Sequence, residues 1–290
     1  MTNKNISRRQ SLLFLPALFL TACETSQRAV RNFCYDNQMP QPLLSLCEQT
    51  VGSEGFTAPD TNAVYYKPAF PQRAAKETVL ANQLHASGYE LGNPIFIRIF
   101  KETSVLEIWM LENSGDQFSL IRRYEICAYS GDLGPKFYEG DKQSPEGFYT
   151  LSLPNMRASQ DYHLFMELDF PNTRDRAWGR TGSWIGIHGG CTSIGCFAMT
   201  DEFIEDIYLL TEASLMSSQT TVPVHSFPFT MTQDRIEREK ANLHYDFWRQ
   251  LQPAYTTVEK TGFPPVISML GKNYLIKPVA GLEAYKSTQY

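Results

Sequence analysis

One histidine, two cysteines and three glycines crowd into the fifteen residues Ile187 to Asp201, which read IHGGCTSIGCFAMTD. Three kinds of chemistry suit such a cluster. A zinc site needs three or four ligands, yet the local set stops at His188, Cys191 and Cys196, and no CxxC pair exists anywhere in the chain. A structural disulfide between Cys191 and Cys196 across the short loop accounts for neither the histidine nor the glycines. Nucleophilic catalysis gives every residue type a task. A thiol ionises near pH 8.5 on its own, and that point falls when an imidazolium or a helix N-terminus lies beside it. His188 closes an apolar run and supplies the imidazole, while Cys196 sits in a glycine turn shortly before a helix cap at Thr200. Gly195 lets the backbone approach a substrate and aim amides at a developing oxyanion.

These residues need a scaffold, and the surrounding pattern predicts one that is mostly β with α, an α+β fold. A helix is expected over about residues 74–86. Alternation then marks strands at Ile95, Ile97 and Ile99, at Leu106, Ile108 and Met110, and at Phe118, Leu120, Arg122, Tyr124 and Ile126, the last two joined by a hairpin turn at residues 112–116. A turn-rich connection, residues 131–147, leads into a strand at 148–153, and further strands are expected near 163–169, 183–188 and 222–226. The helix after the cluster is capped by Thr200, carries Asp201 and Glu202 at its positive end, and lines one face with Phe203, Ile204, Ile207, Leu210 and Leu215. From Thr232 a second helix places Ile236, Leu243, Phe247 and Leu251 on one stripe. A small hairpin follows around Gly271-Lys272-Asn273.

With 290 residues, 42% of them apolar, the chain can bury a sizeable core, and a net charge of -5 supplies no basic field for nucleic acid. Lys4, Arg8 and Arg9 precede the apolar run Leu12 to Leu20, an export signal too short for an ordinary membrane span. Its end, Leu20-Thr21-Ala22-Cys23, resembles a bacterial lipoprotein signal, which implies lipidation at Cys23; an ordinary cleaved signal is the alternative. Glu24 stands where lipoproteins kept in the inner membrane carry Asp, so the resemblance implies a lipid anchor in the outer membrane, facing the periplasm. In that oxidising space disulfides persist, and Cys34 with Cys47 reads as a local staple. The organisation expected is a signal peptide over 1–22, a tether and N-terminal segment over 23–90, a catalytic domain over 91–230 and a C-terminal extension over 231–290.

The pattern His188-Gly189 followed by Ser193-Ile194-Gly195-Cys196 resembles the signature of the L,D-transpeptidase (YkuD-type) catalytic domain, where a strand-end histidine precedes a Ser-His-Gly-Cys turn. Gly134 to Tyr149, GPKFYEGDKQSPEGFY, is similar to the family's lysine, Gly-Asp and Thr-Pro-x-Gly motif. Phe170-Pro-Asn172, Asp175-Arg-Ala177, Gly179-Arg-Thr-Gly182, Cys196-Phe-Ala-Met-Thr200, Val224-His225 and Phe227-Pro-Phe229 resemble a Gram-negative envelope branch that includes the amidase detaching the murein lipoprotein from peptidoglycan. In that branch Cys127 and Cys191 also have counterparts. The chain departs from the family pattern at Ile194, which replaces the second histidine, in the spacing of eight from His188 to Cys196, and at Ala198 and Met199, where an arginine is common.

The resemblance implies an L,D-transpeptidase-like β-sandwich core with one helix after the catalytic cysteine and a helical C-terminal extension, and no cofactor or metal. It further implies that Cys196 attacks a diaminopimelate carbonyl in a peptidoglycan stem peptide, with His188 as base and then acid, and Gly195 and Cys196 amides at the oxyanion. The acyl-enzyme then meets an amine or water, giving transpeptidase or amidase outcomes, the latter including release of a peptidoglycan-linked lipoprotein. Ser193 is the candidate to orient His188 or substrate. Arg174, Arg176 and Arg180 are candidates to bind stem-peptide carboxylates, set against their reading as solvated surface charge. Lys136 and Asp141 are expected to fix the connecting loop, and His225 is either near the site or structural. Strand adjacency and parity suggest a Cys127–Cys191 bond, leaving Cys196 free. The competing reading is a non-catalytic lipoprotein that binds peptidoglycan with an inert copy of the fold.

Overall fold

The computed structural model describes residue 65 and residues 67–286. The expectations for the signal segment 1–22, lipidation of Cys23 and pairing of Cys34 with Cys47 lie outside the described residues. Two sheets carry the architecture. Strands β1 (Ile95–Phe100), β2 (Val105–Leu111) and β3 (Phe118–Glu125) form the antiparallel meander that alternation predicts, and β4 (Gly147–Leu151) enters a sheet ordered β3-β2-β1-β9-β4. Its β9 (Val222–Phe227) runs parallel to β1 and antiparallel to β4. The second sheet is ordered β5-β6-β7-β8, from β5 (Met156–Ser159), β6 (His163–Glu167), β7 (Gly186–His188) and β8 (Phe197–Ala198). Strands β5 and β8 escaped the sequence reading, being too short to show a period.

Helix α1 (Arg73–Ala86), helix α2 (Thr173–Ala177) and helix α3 (Asp201–Ser217) precede β9 along the chain, apart from short turns. The Thr200 hydroxyl caps α3 by accepting from the Phe203 amide at 3.2 Å. One core joins both sheets to α3: Ile95, Ile97 and Ile99 from β1, Met166 from β6, Ile187 from β7, Phe197 from β8, and Ile204, Ile207 and Leu210 from α3. Each such aliphatic side chain contributes about 1.5–3 kcal/mol on burial. Helix α1 lies against α3 rather than in a loose tether, with Leu80 and Leu84 buried, Arg73 paired to Glu212, and Lys76 2.7 Å from Glu205.

The alternation of β1 predicts one dry and one wet face, yet all six of its residues are buried. The reason lies at the far end of the chain. Helices α4 (Gln233–Glu237) and α5 (Tyr245–Thr261), then the hairpin β10 (Val266–Leu270) and β11 (Asn273–Lys277) and helix α6 (Leu282–Lys286), follow β9. Phe247, Trp248, Leu251 and Ala254 of α5 pack with Phe100, Phe148 and Phe227, covering the second face of the sheet. The single helix expected from Thr232 is broken after α4, and Leu243 is 85% exposed in the connecting turn, where Asn242 Oδ1 accepts from the His244 amide at 2.9 Å. Helical spacing had carried the stripe across a turn that local polar contacts impose. The fold is thus α+β as expected, with the extension forming part of the sheet's packing.

Candidate active site

Register decides which side chains share a face. Directly paired residues of adjacent strands point the same way, and neighbours along a strand alternate. In the second sheet Met156, Met166, Ile187 and Phe197 are partners across the four strands and all enter the core. The next rung is Arg157, Phe165, His188 and Ala198, which therefore faces away from that core. Cys196 precedes Phe197 and so projects to the His188 side. Base and thiol emerge together because β7 and β8 are parallel neighbours, which the short glycine-bearing connection permits.

His188 is clamped by its surroundings. Its ring lies 4.3 Å from the Tyr162 ring and 5.9 Å from Phe165, and it is 1% exposed. Nδ1 lies 2.6 Å from the Gly189 carbonyl, so that nitrogen carries the hydrogen and Nε2 keeps the lone pair. The residue's own carbonyl accepts from the Met199 amide at 2.6 Å. Burial lowers the imidazole from its ordinary value, against a smaller opposing contribution from the Gly189 carbonyl.

Cys196 is the free cysteine among the described residues and is 9% exposed. Its thiol donates to the Trp184 carbonyl at 3.3 Å. Burial pushes it up to about 11, opposed by the Gly186 amide and the Lys136 charge and reinforced by the Glu167 carboxylate. This corrects the expectation that histidine and helix would depress the thiol in the resting protein. Desolvation dominates because the thiol is nearly dry, and a neutral imidazole offers it no cationic charge.

The turn that carries Cys196 is tied down from several sides. Ser193 Oγ donates to the Cys196 carbonyl at 2.7 Å and accepts from the Gly195 amide at 3.1 Å. Ser193 therefore shapes the turn through these contacts, neither of which reaches His188, and the Gly195 amide is already engaged. Gly195 has φ +155°, where a side chain would be strained, and a Cβ there would sit 3.0 Å from Ile185 Cδ1. Ser144, at the threonine position of the Thr-Pro-x-Gly motif, donates to the same Cys196 carbonyl at 2.9 Å. Sequence reasoning missed that role, although the motif itself was the signal. Cys127 and Cys191 form a disulfide with Cα atoms 5.2 Å apart, which removes Cys191 from a zinc set and from any bond to Cys196. Asp201 Oδ1 accepts from the Gly190 amide at 2.9 Å, fastening the start of α3 to the turn. Ile194, where the family pattern has histidine, is 74% exposed.

The arginines separate. Arg174 is buried, its guanidinium 4.4 Å from the Phe247 ring centroid and 5.1 Å from Tyr274, both from the C-terminal extension. Arg180 is buried and bonded to Asp175 at 2.7 Å. Neither presents its charge to a stem peptide in this structure, because the extension closes over one and a carboxylate occupies the other; the expectation of substrate binding is corrected for both. Arg176, on α2, donates to the carbonyl of Pro171, which lies just before that helix. His225 sits in an aromatic nest, 5.0 Å from Phe148 and 5.9 Å from Phe96, on the five-stranded sheet rather than on the sheet of His188, and burial lowers it to about 3. Lys136 and Asp141 do fix their loop: they pair, and Asp141 Oδ2 accepts from the amides of Phe137 at 2.8 Å and Tyr138 at 3.2 Å.

Residues 99–224 match the family model described as "L,D-transpeptidase catalytic domain". The chain is 40% identical over 191 residues to the Escherichia coli K12 protein named "Putative L,D-transpeptidase YafK", covering 66% of this chain and 77% of that one. The chain belongs to the L,D-transpeptidase family. It is thereby a member of a family of peptidoglycan enzymes. Among solved structures it is similar to the helical cell shape determining protein Pgp2 of Campylobacter jejuni, at 16% identity and TM-score 0.39 over 69% of this chain and 81% of that one. Bdellovibrio bacteriovorus Bd1075 matches at 18% identity and TM-score 0.37, over 61% of this chain and 77% of that one. Scores of this size say nothing about function.

Proposed function

We propose that this L,D-transpeptidase family member cleaves the amide following a diaminopimelate residue in peptidoglycan stems through a Cys196 thioester, and that it does so from a lipid anchor on the periplasmic side of the outer membrane. The reading is supported by the pairing of β7 with β8, from which alternation turns Cys196, just before Phe197, to the His188 side, and by His188 Nδ1 being committed to the Gly189 carbonyl. Nε2 takes the thiol proton as the sulfur attacks the carbonyl carbon. The resting thiol is held protonated by burial, so ionisation accompanies attack. The new oxyanion meets the Cys196 amide, since the Gly195 amide is engaged by Ser193. The tetrahedral centre collapses, the C–N bond breaks, and the His188 imidazolium returns its proton to the leaving amine.

Water then opens the thioester to a carboxylate, or an amine opens it to a new crosslink. Hydrolysis is put first in this reading on the strength of the branch resemblance, including release of a lipoprotein through its terminal lysine; Cys23 lipidation and outer-membrane sorting rest on the signal alone. Muropeptides and lipoprotein-linked sacculi are incubated with the wild-type protein and with Cys196→Ala, and products are read by mass spectrometry. Released lysine-ended peptide and an acyl adduct on Cys196 are expected from the wild type, with loss of at least about 1,000-fold in the variant. New crosslinks would replace the amidase outcome by transferase, and identical unchanged products in both samples would leave an inert binding module.

A further inference from the structure

The rung that carries His188 ends, two strands away, in Arg157. That places the two Cα atoms about 10 Å apart on one face of the sheet. The guanidinium carbon lies over aromatic neighbours, 4.5 Å from the Trp184 ring centroid and 4.9 Å from that of Phe165. Phe165 also stacks on His188, and the Trp184 carbonyl holds the thiol. One amino group, Nη2, bonds Glu167 Oε2 at 2.7 Å. The two side chains are 34% and 25% exposed, in contrast to the closed Arg174 and Arg180.

Glu167 lies two residues beyond Phe165 on β6 and so faces the His188 side of the sheet. It pairs with Gly186, which carries no side chain because a Cβ there would collide with the Met166 carbonyl, and Gly186 lies against the Cys196 sulfur. Arginine, carboxylate, imidazole and thiol thus share one face, with the Phe165 ring packed between them against Gly186, where a Cβ would meet its Cζ at 2.9 Å. A planar guanidinium matches a carboxylate edge with two parallel donors, and a carboxylate accepts from an ammonium. The ion pair carries no net charge, so it gains little from a plain anion and most from a ligand end that bears both signs.

We infer that Arg157 and Glu167 form a receptor for a free α-amino acid zwitterion, the second amino-acid centre of the diaminopimelate side chain, with Arg157 taking its carboxylate and Glu167 its ammonium. This rests on the proposed diaminopimelate chemistry and adds the residues that select the donor. The chain lacks the arginine common just after the family's cysteine, having Ala198 and Met199 there. Arg157 supplies a guanidinium to the same face from the opposite edge of the sheet.

Two donors separate the possibilities: stem peptides whose side-chain carboxylate is free, and the same peptides amidated there. Acylation of Cys196 by each is followed by mass spectrometry in the wild type, Arg157→Gln and Arg157→Lys. The wild type is expected to favour the free-acid donor by about 10- to 100-fold in kcat/KM. Arg157→Gln lowers acylation by the free-acid donor at least tenfold more than acylation by the amidated one, abolishing that preference, and Arg157→Lys restores part of it. Equal losses on both donors, or an unaltered preference, overturn the inference while the acyl-enzyme still forms. Failure of the wild type to acylate with either donor counts against the proposed function instead. Binding of both peptides to Cys196→Ala and to the Cys196→Ala, Arg157→Gln double variant, by calorimetry, then decides the receptor independently of turnover. At least tenfold weaker binding in the double variant for the free acid alone supports it, and equal affinities overturn it.

Discussion

Two lysine- or arginine-to-glutamate pairs sit on either side of the nucleophile turn, and they are built in opposite ways. Lys101 and Glu146 are both fully buried, 3.0 Å apart. Lys101 Nζ also donates to the carbonyls of Asp132 at 2.7 Å, Gly134 at 3.1 Å and Ser144 at 3.1 Å. Glu146 accepts from the Gly134 amide at 2.6 Å and from the Trp248 indole at 2.7 Å. Every direction around that pair is filled by protein. Arg157 and Glu167 share a single bond of 2.7 Å and leave their other edges open to solvent above the catalytic rung. A saturated buried pair can do nothing except hold parts together, whereas an unsaturated half-exposed pair keeps its donors available to a ligand.

What the buried pair holds is the connecting loop. It joins the end of β1, the 132–146 segment and α5, and Ser144 passes the support on to the Cys196 carbonyl. Breaking it produces the largest expected effect. Glu146→Ala leaves Lys101 charged and dry, and desolvation already drives that ammonium downward from its ordinary value. A loss of about 3–5 kcal/mol in unfolding free energy is expected, read by urea denaturation. A loss below about 1 kcal/mol would show that the pair is not the anchor described.

A gentler variant sharpens the same contrast. Trp248→Phe keeps an aromatic body in the α5 packing and removes the indole donor to Glu146. It is expected to cost about 1.5–3 kcal/mol, the range for a hydrogen bond to a charged group. The effect should fall on stability and leave the preference between free-acid and amidated donors intact, because Trp248 lies on the five-stranded sheet and Arg157 on the other. A changed donor preference would mean that the two regions are coupled.

The difference between these pairs also explains what the chain disclosed in advance. His188 and Cys196 were legible because they lie close in sequence and their types have few joint uses. The β1–β3 meander, the Thr200 cap and the β10–β11 hairpin were legible because alternation, capping and turn chemistry are local. Arg174 and Arg180 misled, since what buries Arg174 is Phe247 and Tyr274, far along the chain, and Arg180 is neutralised by an Asp175 that composition cannot orient. Arg157 stayed hidden in a strand of four residues whose register with His188 exists only once β5, β6 and β7 are paired. The thiol's charge state was misjudged for a related reason. Proximity of residue types was readable, but the dryness that pushes the thiol up is a property of the assembled site.

The smallest expected change in stability comes from the open pair, and it is the one with a chemical signature. Glu167→Gln removes a half-exposed ion pair, which should alter unfolding free energy by about 1 kcal/mol or less. Its charge nevertheless acts on the nucleophile. Burial is the main reason the Cys196 thiol is held up near 11, and the Glu167 carboxylate adds to it because a second negative charge opposes thiolate formation. In the wild type, alkylation by iodoacetamide should therefore climb by about tenfold per pH unit through pH 8 to 10 and level off only above about 11, since the reactive thiolate fraction rises tenfold per unit below the midpoint and saturates beyond it. Removing the carboxylate moves that midpoint down, so Glu167→Gln should alkylate faster than the wild type at any pH below it, with the sacrificed ion pair barely visible in denaturation. Glu146→Gln serves as the contrast: it damages stability and carries no such direct charge on the sulfur. A wild-type profile that is already flat above pH 7, or a Glu167→Gln profile displaced upward, would contradict the electrostatics assigned to the open pair.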